Sequence, residues 1–184
     1  MKNQEQLIKA YKLLAGDFND IIVEKNISGK DYRVCVVDGK VEAVSHRISP
    51  YVIGNGVSTV KQLIDEINSD TMRGYGHEKP LTKIKVDEKL RTHIKKENYT
   101  LDSILEKNKK LVLRENANLS TGGKAEDCTD MICRENVDIC ERAAKAIGLD
   151  ICGIDLCCSD ISKSAFENGA IPVSYTHLTL PTIC

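Results

Sequence analysis

The sequence has no apolar run near the roughly 18 to 20 residues that a membrane-spanning helix needs. Its first twenty residues, MKNQEQLIKAYKLLAGDFND, lack the apolar centre of a signal peptide. These two absences predict a cytoplasmic protein without a membrane partner. Charge of one sign is lacking too: 26 basic residues stand against 27 acidic ones, a net charge of -1. Such a balance supplies no general field for DNA, RNA or anionic lipid, so phosphate binding has to be local and a nucleic-acid partner is not expected. Cysteine is plentiful at eight, yet no C-x-x-C occurs and the four histidines (His46, His77, His93, His177) are scattered. Cys35 and Cys152 lie inside apolar runs, where a thiol acts as a small hydrophobe. We therefore expect reduced, mostly structural cysteines rather than a disulfide framework or a zinc site.

What is present suits one globular unit. The 184 residues are 41% hydrophobic and 29% charged, which excludes disorder, collagen and coiled coil. Leu7, Ala10, Tyr11 and Leu14 fall at helical spacing before Gly16. The period then shortens. Runs 20–27, 31–38 and 40–47 alternate and are rich in β-branched residues, and Asp38-Gly39 between the last two is a strong hairpin signal. Thr59 with Gln62 forms a capping-box pattern for a helix to about Asn68, and Asp87 can cap another to about Lys96. Between them, 69–86 reads as a long loop carrying Arg73, His77, Lys83 and Lys85, which either gather phosphate or keep the loop soluble. Residues 111–130 read as a strand leading into a polar, glycine-containing loop. Val137, Cys140, Ala144 and Ile147 mark one face of a helix ended by Gly148, and 150–158 is an apolar strand interrupted by Asp155. The absence of a repeat or linker makes this one α+β unit.

Two features carry possible chemistry. A carboxylate in an apolar strand loses hydration unless something compensates, so Asp155 is either a divalent-cation ligand, half of a buried salt bridge, or exposed by a turn of the chain. The loop Arg114, Asn116, Asn118, Ser120, Thr121, Gly122, Gly123 gathers an arginine, uncharged donors and backbone amides, a composition suited to anionic oxygens or to a solvated β-to-α connection. It is not a P-loop, because GGK lacks the glycine five residues earlier. Glu24 and Asp31 alone would read as a solvated edge. Together these types suggest a nucleoside triphosphate with Mg2+.

Segments 23–44, 76–88, 113–130 and 148–156, above all LTKIK and NANLSTGG, closely resemble the ATP-grasp region of the cyanophycin synthetases. The likeness runs from about residue 3 to residue 171. The ATP-grasp half of the bifunctional glutathione synthetases shares the DYR and N-x-STGG features but is less similar around LTKIK. The resemblance implies a partial ATP-grasp fold, α+β, with an antiparallel or mixed sheet and flanking helices. It also implies the cofactors ATP and Mg2+, and a ligation in which ATP phosphorylates a carboxylate and an amine attacks the acyl phosphate. The implied substrates are aspartate and a peptide-like polymer carboxylate, and a homo-oligomeric parent is compatible with it. By position, Glu24, Lys25, Asn26 and Ile27 would meet adenine and Asp31 the ribose. Asp155 would hold Mg2+, while Arg114, Asn116, Asn118, Ser120, Gly122 and Gly123 would lie against the triphosphate and acyl phosphate.

The departures from the family are informative. Its last strand should read close to G-A-I-I-E-V-N, whereas Pro172-Val173-Ser174-Tyr175 follow Ile171 here, and VSYTHLTLPT resembles a translated sequencing adapter. Residues 1–171 are therefore expected to form a partial ATP-grasp domain and 172–184 a non-native tail. The resemblance also enters midway through the ATP-grasp region, which implies a fragment with exposed apolar sheet surface, low solubility and no ligase turnover of its own. The alternatives are a glutathione-synthetase-type ligase, a non-catalytic nucleotide-binding protein, and a cysteine-based redox or metal protein.

Overall fold

The computed structural model describes residues 4–16, 18, 20–23, 27–76 and 78–178. Helix α1 (Gln4–Leu14) opens the chain. Strands β1 (Lys30–Val37) and β2 (Lys40–Ile48) follow as the expected hairpin. Asp38 and Gly39 both take positive φ, 50° and 71°, the left-handed pair that a two-residue turn between twisted strands requires. The alternation in β1 buries Tyr32, Val34 and Val36 on one face and leaves Asp31, Arg33 and Cys35 half-buried on the other.

Strand β8 (Ile151–Cys158) pairs with the far side of β1, and β7 (Lys124–Asp127) and β9 (Ile171–His177) close the two edges. The five-stranded sheet runs β7-β2-β1-β8-β9, antiparallel throughout. Helix α4 (Arg134–Ile147) packs on its apolar face, bringing Cys140 and Ala144 against Val34, Val44, Ile154 and Leu156. Gly148 ends the helix in the left-handed conformation, as its sequence position predicts. Asn136 is fully buried on the same helix because its amide spans the carbonyls of Ile161 and Lys163 at 3.0 and 2.9 Å. A short helix, α5 (Ala165–Asn168), leads into β9.

A second core lies in the excursion between β2 and β7. There β3 (Tyr51–Ile53) pairs with β6 (Lys110–Val112), and α2 (Val60–Asn68) and α3 (Glu88–Lys96) pack Val60, Leu63, Ile64, Leu90 and Ile94 with Val52, Leu111 and Leu113. The capping box closes at Thr59 and Gln62, and the Asp87 carboxylate accepts from the Leu90 amide at 3.0 Å.

Four expectations need correction. Residues 20–23 and 27 of the anticipated strand 20–27 are not extended in a sheet, and Ile22 is 84% exposed. Strand β1, the next strand in sequence, already has β2 and β8 as neighbours on its two sides and offers this run no ladder. The segment 69–86 is more than a loop: β4 (Arg73–Gly74) and β5 (Leu81–Thr82) pair in parallel within it. The loop after β6 likewise holds a 3-10 turn at 119–121 and then β7. Residues 172–177, expected outside the fold, lie in β9 and pair with β8 while their side chains remain mostly exposed.

Candidate functional site

The sheet face turned away from α4 carries the charge. Antiparallel registry aligns Asp127, Ser45, Arg33, Asp155 and Ser174 in one row across the strands, and Ala125, Arg47, Asp31 and Cys157 in the next row on the same face. Arg33 Nη1 donates to Asp155 Oδ1 at 2.9 Å, and Arg47 Nη2 reaches the same oxygen at 2.6 Å. All three side chains are only about a fifth exposed, at 24%, 21% and 19%. One carboxylate between two guanidinium groups leaves the cluster with a net charge of about +1, in surroundings that screen it poorly. Arg47 Nε is buried and has no hydrogen-bond partner.

Glycine makes the clasp possible. A Cβ at position 153 would stand 2.2 Å from Arg33 Nε, so the guanidinium rests where any other side chain would begin. Beside the clasp, Cys157 Sγ lies 3.9 Å from the Ile27 carbonyl. Ile27 and Asp31 therefore share the polar face with Asp155, whereas Glu24, Lys25 and Asn26 lie outside the described residues, as does His77.

The polar loop joins this face at the end of β2. Its 3-10 turn folds back so that the amides of Thr121 and Gly123 donate to the Asn118 carbonyl at 3.1 and 3.3 Å, and Thr121 Oγ1 donates to Asn116 Oδ1 at 3.3 Å. Gly122 has φ 98°, and a Cβ there would meet Ile84 at 2.7 Å. At Gly123 a Cβ would come within 2.9 Å of the Ile48 carbonyl. Lys124 then pairs with Ile48 and Ala125 with Arg47, which sets the loop next to the arginine clasp. Asn116, Asn118 and Ser120 are exposed on the loop.

Arg114 is placed differently from the rest of that group. Only 6% exposed, it donates from Nη2 to the Lys85 carbonyl at 2.7 Å and to Asp87 Oδ1 at 2.8 Å. Burial alone would raise the Asp87 pKa; the hydrogen bonds from Arg114 and Leu90 outweigh it and hold the carboxyl below its ordinary value. Arg114 thus ties the loop's entry to the α3 N-cap. Arg73 is also fixed, 3% exposed, while Lys83 lies over the Tyr75 ring at 5.0 Å from its centroid.

Arg33 and Arg47 do not emerge from motif reading. Their signal was present nonetheless: each is a cation at a polar-phase position of an alternating strand, the phase shared by Asp155 once the strands are registered. The seven described cysteines are free thiols, as expected. Among the described residues no group of three His, Cys, Asp or Glu forms a cation site, and no helix is long and apolar enough to cross a membrane.

No family model matches the chain. The cyanophycin synthetase of Synechocystis sp. is 48% identical over 174 residues, covering 93% of this chain and 20% of that enzyme. That of Nostoc sp. is 48% identical over 167 residues, 91% of this chain and 18% of the relative. The glutathione biosynthesis bifunctional protein GshAB of Clostridium perfringens is 35% identical over 175 residues, 94% of this chain and 22% of that protein. A crystal structure of a bifunctional glutathione synthetase from Pasteurella multocida superposes with a TM-score of 0.65 at 32% identity, over 89% of this chain and 22% of that one. The chain thus spans about a fifth of the length of these relatives. It is homologous to that stretch of the cyanophycin synthetases and carries part of the ATP-grasp fold.

Proposed function

We propose that the polar sheet face and the 116–123 loop form the triphosphate side of an ATP-dependent carboxylate–amine ligase site. The convergence of Arg33 and Arg47 on this face, beside a loop of exposed uncharged donors, carries the reading. Ile27 and Asp31 would flank the nucleoside, and Asn116, Asn118, Ser120, Gly122 and Gly123 the phosphates. Arg114 would act through the loop's entry instead of touching phosphate, because both Asp87 and Lys85 already engage it.

In the reaction, the γ-phosphoryl group of ATP passes to a carboxylate oxygen and ADP leaves. The amine then attacks the acyl carbon, inorganic phosphate departs with the C–O electron pair, and the amine loses a proton. Two guanidinium groups fixed in a poorly screened site stabilise the charge that develops on these oxygens, and the loop orients them. Aspartate and the end of a peptide-like polymer are the proposed substrates, by homology at 48% identity against 35% for GshAB.

Mg2+ does not fit the described residues alone. Asp155, the one carboxylate expected to hold it, is occupied by two arginines, and among the described residues it belongs to no group of three or more metal-ligating side chains. We therefore assign charge neutralisation at this face to Arg33 and Arg47.

Binding of a fluorescent ATP analogue to the chain tests the site. Arg47→Gln is expected to weaken it at least tenfold, and equal affinity would overturn the assignment. ADP release dependent on aspartate and an aspartyl polymer, measured with the full-length parent, tests the substrate class; release driven by a glutathione precursor would favour the glutathione-synthetase reading.

A further inference from the structure

The least expected feature beneath the polar loop is the burial of Arg73. It is 3% exposed and forms no ion pair among the described residues. Asp70, the acid that acts on it electrostatically, turns its Oδ1 to the Met72 amide at 2.9 Å. The Arg73 guanidinium is satisfied by backbone instead: Nη1 donates to the carbonyl of Thr82 and, at 3.2 Å, to that of Gly122. A largely desolvated cation that donates to backbone carbonyls, with the nearby acid Asp70 turned to an amide, is costly to bury and keeps much of its field.

Its surroundings form a bracket. Asn68, at the end of α2, donates to the Ile84 carbonyl at 3.0 Å and accepts from the Ile84 amide at 2.7 Å. Ile84 in turn presses on Gly122, whose φ of 98° leaves no room for a side chain. The segment 70–84 is thereby pinned at α2 and at the loop, with Arg73 joining its two short strands to Gly122.

We propose that Arg73 is a positioning residue: it holds the 118–123 loop in its anion-binding shape and places a buried positive charge behind it. This rests on the reading of that loop as a phosphate site. A purely structural arginine would support the fold without discriminating phosphate from nucleoside. An arginine aimed at the loop's function would do both.

The test uses the whole chain with Arg73→Met, which keeps length without charge, and Arg73→Lys, which keeps charge without the fork. ATP, tripolyphosphate and adenosine serve as probes, and amide hydrogen exchange reports on residues 119–123. We expect Arg73→Met to weaken ATP and tripolyphosphate binding at least tenfold, to leave adenosine unchanged, and to speed exchange in 119–123. Arg73→Lys should recover part of the phosphate affinity, and it carries the same comparison if Arg73→Met does not fold. Unchanged exchange in 119–123, or equal losses for ATP and adenosine, would overturn the proposal. A wild-type chain that binds neither ATP nor tripolyphosphate would sink the phosphate reading, and the exchange result then decides the positioning role by itself.

Discussion

Replacing Asp155 by asparagine removes the anion between Arg33 and Arg47 and changes almost nothing in volume. Two guanidinium nitrogens stand 2.9 and 2.6 Å from Asp155 Oδ1. At an effective dielectric of about 20, each charge pair at about 4 Å is worth roughly 4 kcal/mol before desolvation and screening are subtracted. Because the three groups are about a fifth exposed, we discount the pair and expect a net loss of about 2–4 kcal/mol, including repulsion between the arginines left behind. For a chain of this length that is a fall in Tm of roughly 5–15 °C. Affinity for metal-free ATP should rise at the same time, since the cluster goes from about +1 to +2. Thermal unfolding and ATP titration with and without Mg2+ measure both effects. An unchanged Tm together with loss of Mg2+-stimulated binding would refute the clasp and restore Asp155 as a metal ligand.

Gly122→Ala, at φ 98° and against Ile84, is expected to cost about 2–4 kcal/mol, whereas Gly39→Ala, in open space at φ 71°, should cost only about 1–2; urea midpoints compare them, and equal losses would remove the loop–Ile84 contact from the explanation. Burial, reinforced by Lys30, lowers the His46 pKa below its ordinary 6.5. The folded state thus binds the proton less well than the unfolded chain, so His46 contributes fully above pH 6.5 and its contribution is lost as pH falls through the folded pKa. His46→Gln should flatten the urea midpoint between pH 7 and 5, and an unaltered slope would argue against it. Burial pushes the Cys140 thiol up to about 12 and Cys158 to about 11, so among the described cysteines native-state iodoacetamide should modify the half-buried Cys35 and Cys133 first, with peptide mass spectrometry reading the order. Early labelling of Cys140 would contradict the core.

On the proposed reading, phosphate oxygens arriving at the clasp would meet donors whose geometry is already fixed by Gly153 below and by the β2–β7 ladder beside it. Such donors need little reorganisation as charge develops, which is where electrostatic stabilisation is most effective.

Local chemistry alone determined a good part of this protein. The Asp38-Gly39 turn, the Thr59 capping box, the Asp87 cap and the Gly148 stop all depend on a few adjacent residues, and each forms where the sequence places it. The hairpin faces followed as well, because a period of two fixes which side chains are buried together. Partnerships across the chain were another matter. Residues 20–27 have the composition of a strand, yet the described ones among them lie outside the sheet, where β1 is filled on both sides by β2 and β8, and only the sheet order reveals that. Asp155 was legible as a carboxylate needing a partner; that the partners are Arg33 and Arg47 follows from registry between strands more than a hundred residues apart. Arg73 and Arg114 read as loop cations in sequence, and the tertiary structure buries both, since only packing decides which arginines meet carbonyls and carboxylates instead of water.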